Sequence, residues 1–442
     1  MSFLFPVHEK LELASGEKVP NRYIIEFKEG LTEDARWNAL PGLEMDKRDR
    51  YKFFQTAEYE GLRLHACVGT LQHHGELRTI LDSPTVKRVY EDAIIKTQEI
   101  KIQKDAPWGI SRLSSADKLV GSNAMRSSFN YVHEIAQTDS NDEPADEVVV
   151  YIVDTGIDPN HEDILSSSLG YFVPKYADGT NVISRRHASS SNLESGLEPQ
   201  HLKADTHGHG THVAGIIGGK RFGVAKGCKM VSVAVMNPSG TCPISDLIGG
   251  LMDILYSRLV LWLSSPKGAK FGQSEPTFNN VVVNLSLGSP RSGIVDKVVN
   301  ILVEAGIHVV AAACNQSNDA RYYSPAGMKS VITVGASTFT DSRAWFSNIG
   351  SMVDIYAPGV FIHSSTYNPN HRNDTEMKSG TSQACAHVSG LVAYLLRKKG
   401  LMSPKEMKQL IIDLSLKDRL SDIPLGSNNR LANFSRLLPV DA

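Results

Sequence analysis

Four short stretches of this chain carry residues able to do chemistry, and none is decisive alone. Asp154 opens D-T-G-I-D at the end of an apolar run. A carboxylate before Thr-Gly also suits a two-aspartate proteolytic site, but such a site needs a second carboxylate to share the proton. The sequence holds no second D-T-G and no D-S-G. His207, His209 and His212 lie in H-G-H-G-T-H-V-A-G. A helical zinc site needs two histidines four apart with Glu after the first. No pair here has that spacing, and Gly208, Gly210 and Val213 follow the three histidines. The glycines instead let the backbone beside His209 approach a substrate closely, with a helix starting just after it. Ser382 sits in S-G-T-S-Q-A-C-A-H-V-S-G, at the start of a long apolar helix. Unpaired N–H groups and the helix dipole favour negative charge there, so a nucleophile can use its own N–H to bind an oxyanion. The alternative is that Ser379, Thr381 and Ser382 only cap the helix. Asn315, in A-A-A-C-N-Q-S, is a turn residue by default and an amide donor to an oxyanion otherwise.

These residues need a frame. E-V-V-V-Y-I-V-D-T-G (147–156) is a continuous apolar run, which predicts a strand buried on both faces of a parallel sheet. Further strands are predicted at 229–236, 280–288, 308–314 and 330–337. Helices are predicted from within 206–219, then at 245–263, 294–305, 381–399 and 403–415, the last with a Ser-Pro-Lys-Glu capping pattern. Strands alternating with helices imply βαβ units and a doubly wound parallel sheet. Ligands bind such sheets beyond the carboxyl ends of the strands, where Asp154, His209 and Asn315 fall. Ahead of this region, 21–27, 61–69, 76–81 and 86–97 read as strand, strand, helix and strand, a small α+β unit. Residues 166–203 and 264–279 read as loop insertions.

The 442 residues are 41% hydrophobic and 21% charged with a formal net charge of −2. That is a globular composition, and it offers no nucleic-acid surface or polybasic membrane patch. No apolar run is long enough to span a bilayer. The stretch 3–7 is too short and too Pro-interrupted for a signal-peptide core, so the secretory route is expected only if a leader lies upstream. The five cysteines match no zinc motif; buried free thiols are the default reading, with one or two disulfides among the last four left open.

The chain resembles a subtilase (peptidase S8), and the fungal proteinase K branch most. The resemblance rests on V-V-V-Y-I-V-D-T-G-I-D, H-G-H-G-T-H-V-A-G, V-N-L-S-L-G-S-P, H-V-V-A-A-A-C-N-Q, Y-Y-S-P-A-G and S-G-T-S-Q-A-C-A-H-V-S-G, and runs from about Ala106 to the C-terminus. The order Asp154, His209, Ser382 is the subtilisin order of a serine triad. It implies a serine endopeptidase with Ser382 as nucleophile, His209 as base and Asp154 as the group that fixes the imidazole. Asn315 and the Ser382 N–H would bind the oxyanion. Ser286, Leu287 and Gly288 would form one wall of the P1 pocket, and Ala311, Ala312 and Ala313 the other. V-P-N-R-Y-I-I-E-F-K-E-G resembles the inhibitory propeptide of the same family, and A-P-W-G-I-S-R-L-S a mature start. The resulting division is a leader at 1–20, a propeptide domain at 21–100, linker and mature start at 101–112, and a peptidase domain at 113–442. Expected partners are polypeptide substrates and the chain's own propeptide, acting on a monomer. No cofactor is assigned; the family often holds structural calcium, but no ligand run here names a site. Secretion, a vacuole or the wall is the expected destination, and Asn373 is the sequon best placed for a sugar. Three departures stand out, Gln383 where the family has Met, Ala386 where it has Pro, and Cys314 where it has Gly before the oxyanion Asn, and they keep open the alternative of a catalytically weak or inactive subtilase that acts by binding with its propeptide retained.

Overall fold

The computed structural model describes all residues except 1–7, 13–17, 41–50, 56–64, 72, 94–99, 122–128, 135–146, 165–168, 173–204, 264–276 and 439–442. The chain divides into two units, Met1–Gln98 and Glu99–Ala442.

In the first unit, strands β1 (Leu11–Glu12), β2 (Lys18–Phe27), β3 (Tyr51–Gln55), β4 (His65–Thr70) and β5 (Val86–Ala93) form one sheet in the order β1-β5-β2-β4-β3. β2 lies antiparallel to β4 and β5. Alternation in β2 sends Ile25 and Phe27 inward against Val86, Val89, Ile80 and Leu81. The last two lie on α2 (His74–Asp82), which follows the short α1 (Glu33–Trp37) in sequence. The closing strand stops at Ala93, and the remainder of the expected 86–97 run lies outside the described residues.

In the second unit, the stretch expected as linker and mature start carries β6 (Ile100–Ala106) and α3 (Trp108–Ser114), with Pro107 between them. β6 pairs antiparallel with β7 (Phe129–Glu134). Ala106, Trp108, Ile110 and Leu113 enter the core, and burying four apolar side chains outweighs the loop-like Pro and Gly among them. Arg112 is buried on Asp341 in a two-bond fork of 2.9 Å each, which fixes α3 further.

The main sheet is built from β8 (Val149–Asp154), β9 (Leu169–Phe172), β10 (Lys229–Ala234), β11 (Val281–Leu285), β13 (His308–Ala312), β15 (Ile332–Ser337), β16 (Ile355–Pro358), β19 (Leu416–Lys417) and β20 (Arg430–Leu431). The short β12 (Ser289–Pro290) and β14 (Tyr323–Ser324) pair outside it, as do β17 (Ile362–Ser365) and β18 (Thr375–Lys378). The order is β19-β20-β16-β15-β13-β11-β8-β10-β9, parallel throughout except at β19. After β8 the chain forms β9 and β10 on one side of it and then β11 on the other. That reversal is the switch point at which a doubly wound sheet opens a crevice. Helices α4 (His209–Gly218), α5 (Ile244–Leu263), α6 (Gly293–Glu304), α7 (Thr381–Lys399) and α8 (Pro404–Leu414) complete the unit. The sheet residues sort by parity. Val150, Ile152, Val282 and Val310 pack with α4, α7 and α8, whereas Val149, Tyr151, Val153, Val283 and Val309 pack with α5 and α6. Both faces are covered, which explains the unbroken apolar runs. Ser403 and Glu406 form the expected capping box at α8. Lys408 pins that helix, its ammonium bonding Asp354 (2.8 Å) and the carbonyls of Lys329 and Val331.

All five cysteines are free, so the disulfides left open do not form. The insertion 166–203 lies outside the described residues apart from Leu169–Phe172, which is the edge strand β9, and only 277–279 of the second insertion are described.

Candidate active site

Asp154 is the last residue of β8, an interior strand of the sheet, and is fully buried. Its Oδ1 accepts from the Thr155 N–H at 2.7 Å and faces Nδ1 of His209 at 2.7 Å. Oδ2 has no partner among the described residues. A buried carboxylate that is only half satisfied gains most when a positive charge forms beside it. His209, the first residue of α4, is the group placed to supply that charge. Its side chain keeps 21% exposure, so the far ring edge stays reachable. Burial alone would depress the His209 imidazolium. The charge and hydrogen bond of Asp154 override this, Lys378 opposes and Asp205 adds, and the net result is a ring held above its ordinary value.

Ser382 is the second residue of α7 and half-buried. Its Oγ donates to the Ser286 carbonyl at 2.9 Å, and Ser286 Oγ donates back to the Ser382 carbonyl at 3.0 Å. Ser286 follows β11 directly. Since Asn284 of β11 pairs with Ile152 of β8, Ser286 lies level with Asp154 on the neighbouring strand. The hydroxyl and the Asp154–His209 pair therefore share the carboxyl-end edge of the sheet. Helix capping does not explain the serines and threonine there. The N-cap is Gly380, without a side-chain cap bond. Ser379 Oγ accepts from Phe361 N, and Thr381 Oγ1 donates to Asn315.

Asn315 lies three residues past β13 and is exposed. Its Oδ1 accepts from both N and Oγ1 of Thr381, each at 2.9 Å. A backbone N–H can only donate, so this pair fixes which end of the amide is the oxygen. The point where a Cβ on Gly380 would sit is 2.9 Å from Gln383 Oε1, 3.6 Å from Asn315 Nδ2 and 3.6 Å from the Ser382 amide nitrogen. The two nitrogens thus converge beside Gly380, with the Gln383 amide oxygen nearer to that point than either.

The sequence of residues 145–431 matches the model of the subtilase family, Peptidase_S8. The chain belongs to the subtilase family. It is 32% identical to "Subtilisin-like protease 8" of Trichophyton verrucosum over 96% of this chain and 83% of that protein. It is 35% identical to "Subtilisin-like protease 3" of Saccharomyces cerevisiae over 80% and 67%. Among solved structures it is similar to a cold-adapted subtilisin-like serine proteinase, with TM-score 0.55 and 30% identity over 74% of this chain and 98% of that one. This subtilase is a serine endopeptidase with the α/β doubly wound fold that its sequence predicts.

The remaining expected residues of the subtilase divide by position. Ser286 is buried, Leu287 packs against the core, and Gly288 is exposed. The methyls of Ala311 and Ala312 are committed to opposite core layers, and Ala313 is buried in a third cluster. That segment can therefore face a substrate only through its backbone. Cys314 adopts φ +76°, a left-handed conformation that suits glycine, and a Cβ on Gly288 would fall against its Sγ. The thiol thus stands between the two expected walls. Gln383 is buried behind the nucleophile position, its Nε2 without a partner among the described residues, while Ala386 lies inside an unbroken α7.

The histidines do not converge on a metal. His207 is exposed. His212 is buried, pushed down to about 3, and its Nε2 bonds the carbonyls of Ile362 and Glu376. Among the described residues no group of three or more His, Cys, Asp or Glu could hold an ion.

Residues around the site went unnoticed in the sequence. Asn284, fully buried, bonds Ser286 Oγ and accepts from Ser389 Oγ of α7, so it ties β11 to the helix that carries Ser382. Asn348, also buried, takes the N–H groups of Gln316 and Asn318 and holds the loop that carries Asn315. A buried Asn in an apolar run (V-V-V-N-L) is the only such signal the sequence offered.

Proposed function

We propose that this serine endopeptidase works through Ser382, His209 and Asp154, with Asn315 and the Ser382 N–H as oxyanion donors. The observation that carries the reading is the 2.7 Å Asp154–His209 contact on the same sheet edge as the Ser382 hydroxyl, with Asn315 Nδ2 and the Ser382 amide nitrogen converging beside Gly380. On substrate binding the Ser382 hydroxyl leaves the Ser286 carbonyl and gives its proton to His209 as Oγ attacks the scissile carbonyl. The imidazolium is stabilised by Asp154 and returns the proton to the leaving amine; water then hydrolyses the acyl-enzyme by the same route. Substrate backbone pairs with residues 286–288, as an added strand does at a sheet edge.

The first unit is read as an inhibitory propeptide removed by self-cleavage between about 97 and 106, and the mature enzyme as a monomer in the secretory pathway. Supporting this are the separate core of Met1–Gln98 and the exposure of Asn373. No helix among the described residues is long and apolar enough to cross a membrane.

No acidic side chain belongs to residues 286–288 or 311–314, so cleavage is expected after aromatic or aliphatic residues rather than Lys or Arg. Cys314→Gly should raise kcat/KM for a large aromatic P1 over a small aliphatic one by about tenfold, the low end of what a few apolar atoms are worth in a pocket. A peptide-library profile of both proteins tests this. A preference for basic P1, or identical profiles, would reject it.

A further inference from the structure

The site contains a second buried carboxylate that peptide hydrolysis does not consume. Asp205 lies four residues before His209 and is fully buried. Its Oδ1 accepts from Thr155 Oγ1 (2.9 Å), His207 N (3.0 Å) and Gly208 N (2.8 Å). Its Oδ2 accepts from Thr211 N (2.9 Å) and Thr211 Oγ1 (2.7 Å). The two threonine hydroxyls pass the linkage on, since Thr155 Oγ1 accepts from Gly210 N and Thr211 Oγ1 from Asp158 N, each at 2.9 Å. One carboxylate therefore joins the turn just after Asp154 to the first turn of α4.

We infer that Asp205 is a positioning residue of the peptidase site, welding the Asp154 turn to the His209 helix so that the imidazole stays seated on Asp154. The inference rests on His209 acting as the base. Charge-assisted bonds to backbone N–H groups are short and directional, and the positive end of α4 offsets the buried charge. Thr155 and Thr211 are themselves buried, so their hydroxyls depend on the carboxylate as a partner. Gly208 is held at φ +84°, a turn the Asp205 bonds to residues 207 and 208 secure. An amide at position 205 cannot reproduce this. Asn offers one acceptor oxygen, and its NH2 would meet either the Thr211 N–H or the Gly208 N–H donor to donor.

Asp205 also acts on His209 by charge. The groups facing that ring are Asp154 from β8, Lys378 from β18, Asp205, and the neighbouring His207 and His212. His212 stays neutral above its value of about 3. Asp154 and Asp205 favour the imidazolium and Lys378 disfavours it. Loss of the Asp205 charge therefore lowers the His209 value. The neutral, active base then persists to lower pH, and the acid limb of kcat/KM moves down.

The test uses the full chain as it processes itself, with active sites counted by fluorophosphonate titration. Asp205→Asn should lower kcat by about 100-fold, the scale of a small misplacement at a reacting centre, leave KM within about twofold, and shift the acid limb to lower pH. Thr155→Val, which cuts one link and keeps the charge, should lower kcat by about tenfold with a smaller shift, and Thr155→Ser should restore most of it. Wild-type kcat and acid limb in Asp205→Asn, or a lower melting temperature with unchanged kinetics, would overturn the proposal. If Asp205→Asn does not fold, unchanged kcat in Thr155→Val does so instead. A His209→Ala variant that keeps the wild-type rate would sink the reading of the base itself, independently of Asp205.

Discussion

Ser382→Ala is expected to cut peptide hydrolysis by about a million-fold, a scale that belongs to nucleophile removal in this family of enzymes. Among the described residues the Ser286 hydroxyl is ill placed to replace the lost oxygen, being buried and shared between Asn284 and the Ser382 carbonyl. The fold should tolerate the change, because the Ser382 hydroxyl makes one bond to a carbonyl and neither caps α7 nor fills the core. The same variant reports on the first unit. Purified wild type should begin between about residues 97 and 106, whereas the alanine variant should keep its full N-terminus. If both stay whole while the wild type cleaves peptides, the first unit is a permanent domain. If both are cut alike, the cleavage is not the chain's own.

Asn315→Ala carries the second large effect, a fall in kcat of about 100- to 1,000-fold with KM little changed. That scale comes from the equivalent donor in this family. The reason for it here is geometric. Thr381 N and Oγ1 claim the amide oxygen, which leaves the NH2 as the end proposed to meet the oxyanion. An interaction made only as charge develops shows in kcat rather than in KM. The change is not free for the helix, since the Thr381 amide loses its acceptor, so a modest fall in stability should accompany it. Asn315→Asp separates the two effects. It keeps the acceptor for Thr381 but puts an anion where an anion must form, and it should be no more active than the alanine variant. Wild-type kcat in either variant would reduce Asn315 to a turn residue.

The frame was legible where burial is continuous. V-V-V-Y-I-V announces a strand covered on both sides, and Val149–Asp154 is an interior strand of the sheet with every residue buried. The candidate site was legible because its residue types recur at set places in short motifs. What escaped the reading depends on partners distant in sequence. Residues 101–112 carry Lys, Asp, Pro and Gly and look like a linker, yet Trp108 and Leu113 find a core that only the folded domain supplies. The strands β17, mostly buried, and β18, half-exposed, are short and held by cross-strand partners rather than by their own propensity. Asp205 and Asn284 look like ordinary polar residues until the threonines and serines they bind are brought beside them. The departure at Cys314 was visible, but its consequence required seeing Gly288 across from it.

The most direct test of the account is the site at which an active-site serine probe bonds. A fluorophosphonate should react with one residue, and peptide mass mapping should place the adduct on the segment that contains Ser382. Labelling should fade at acid pH as His209 becomes protonated, with a midpoint above the ordinary histidine value because Asp154 and Asp205 hold the ring's proton. An adduct on another residue, or a fully active peptidase that takes no label, would contradict the assignment of Ser382 as the nucleophile.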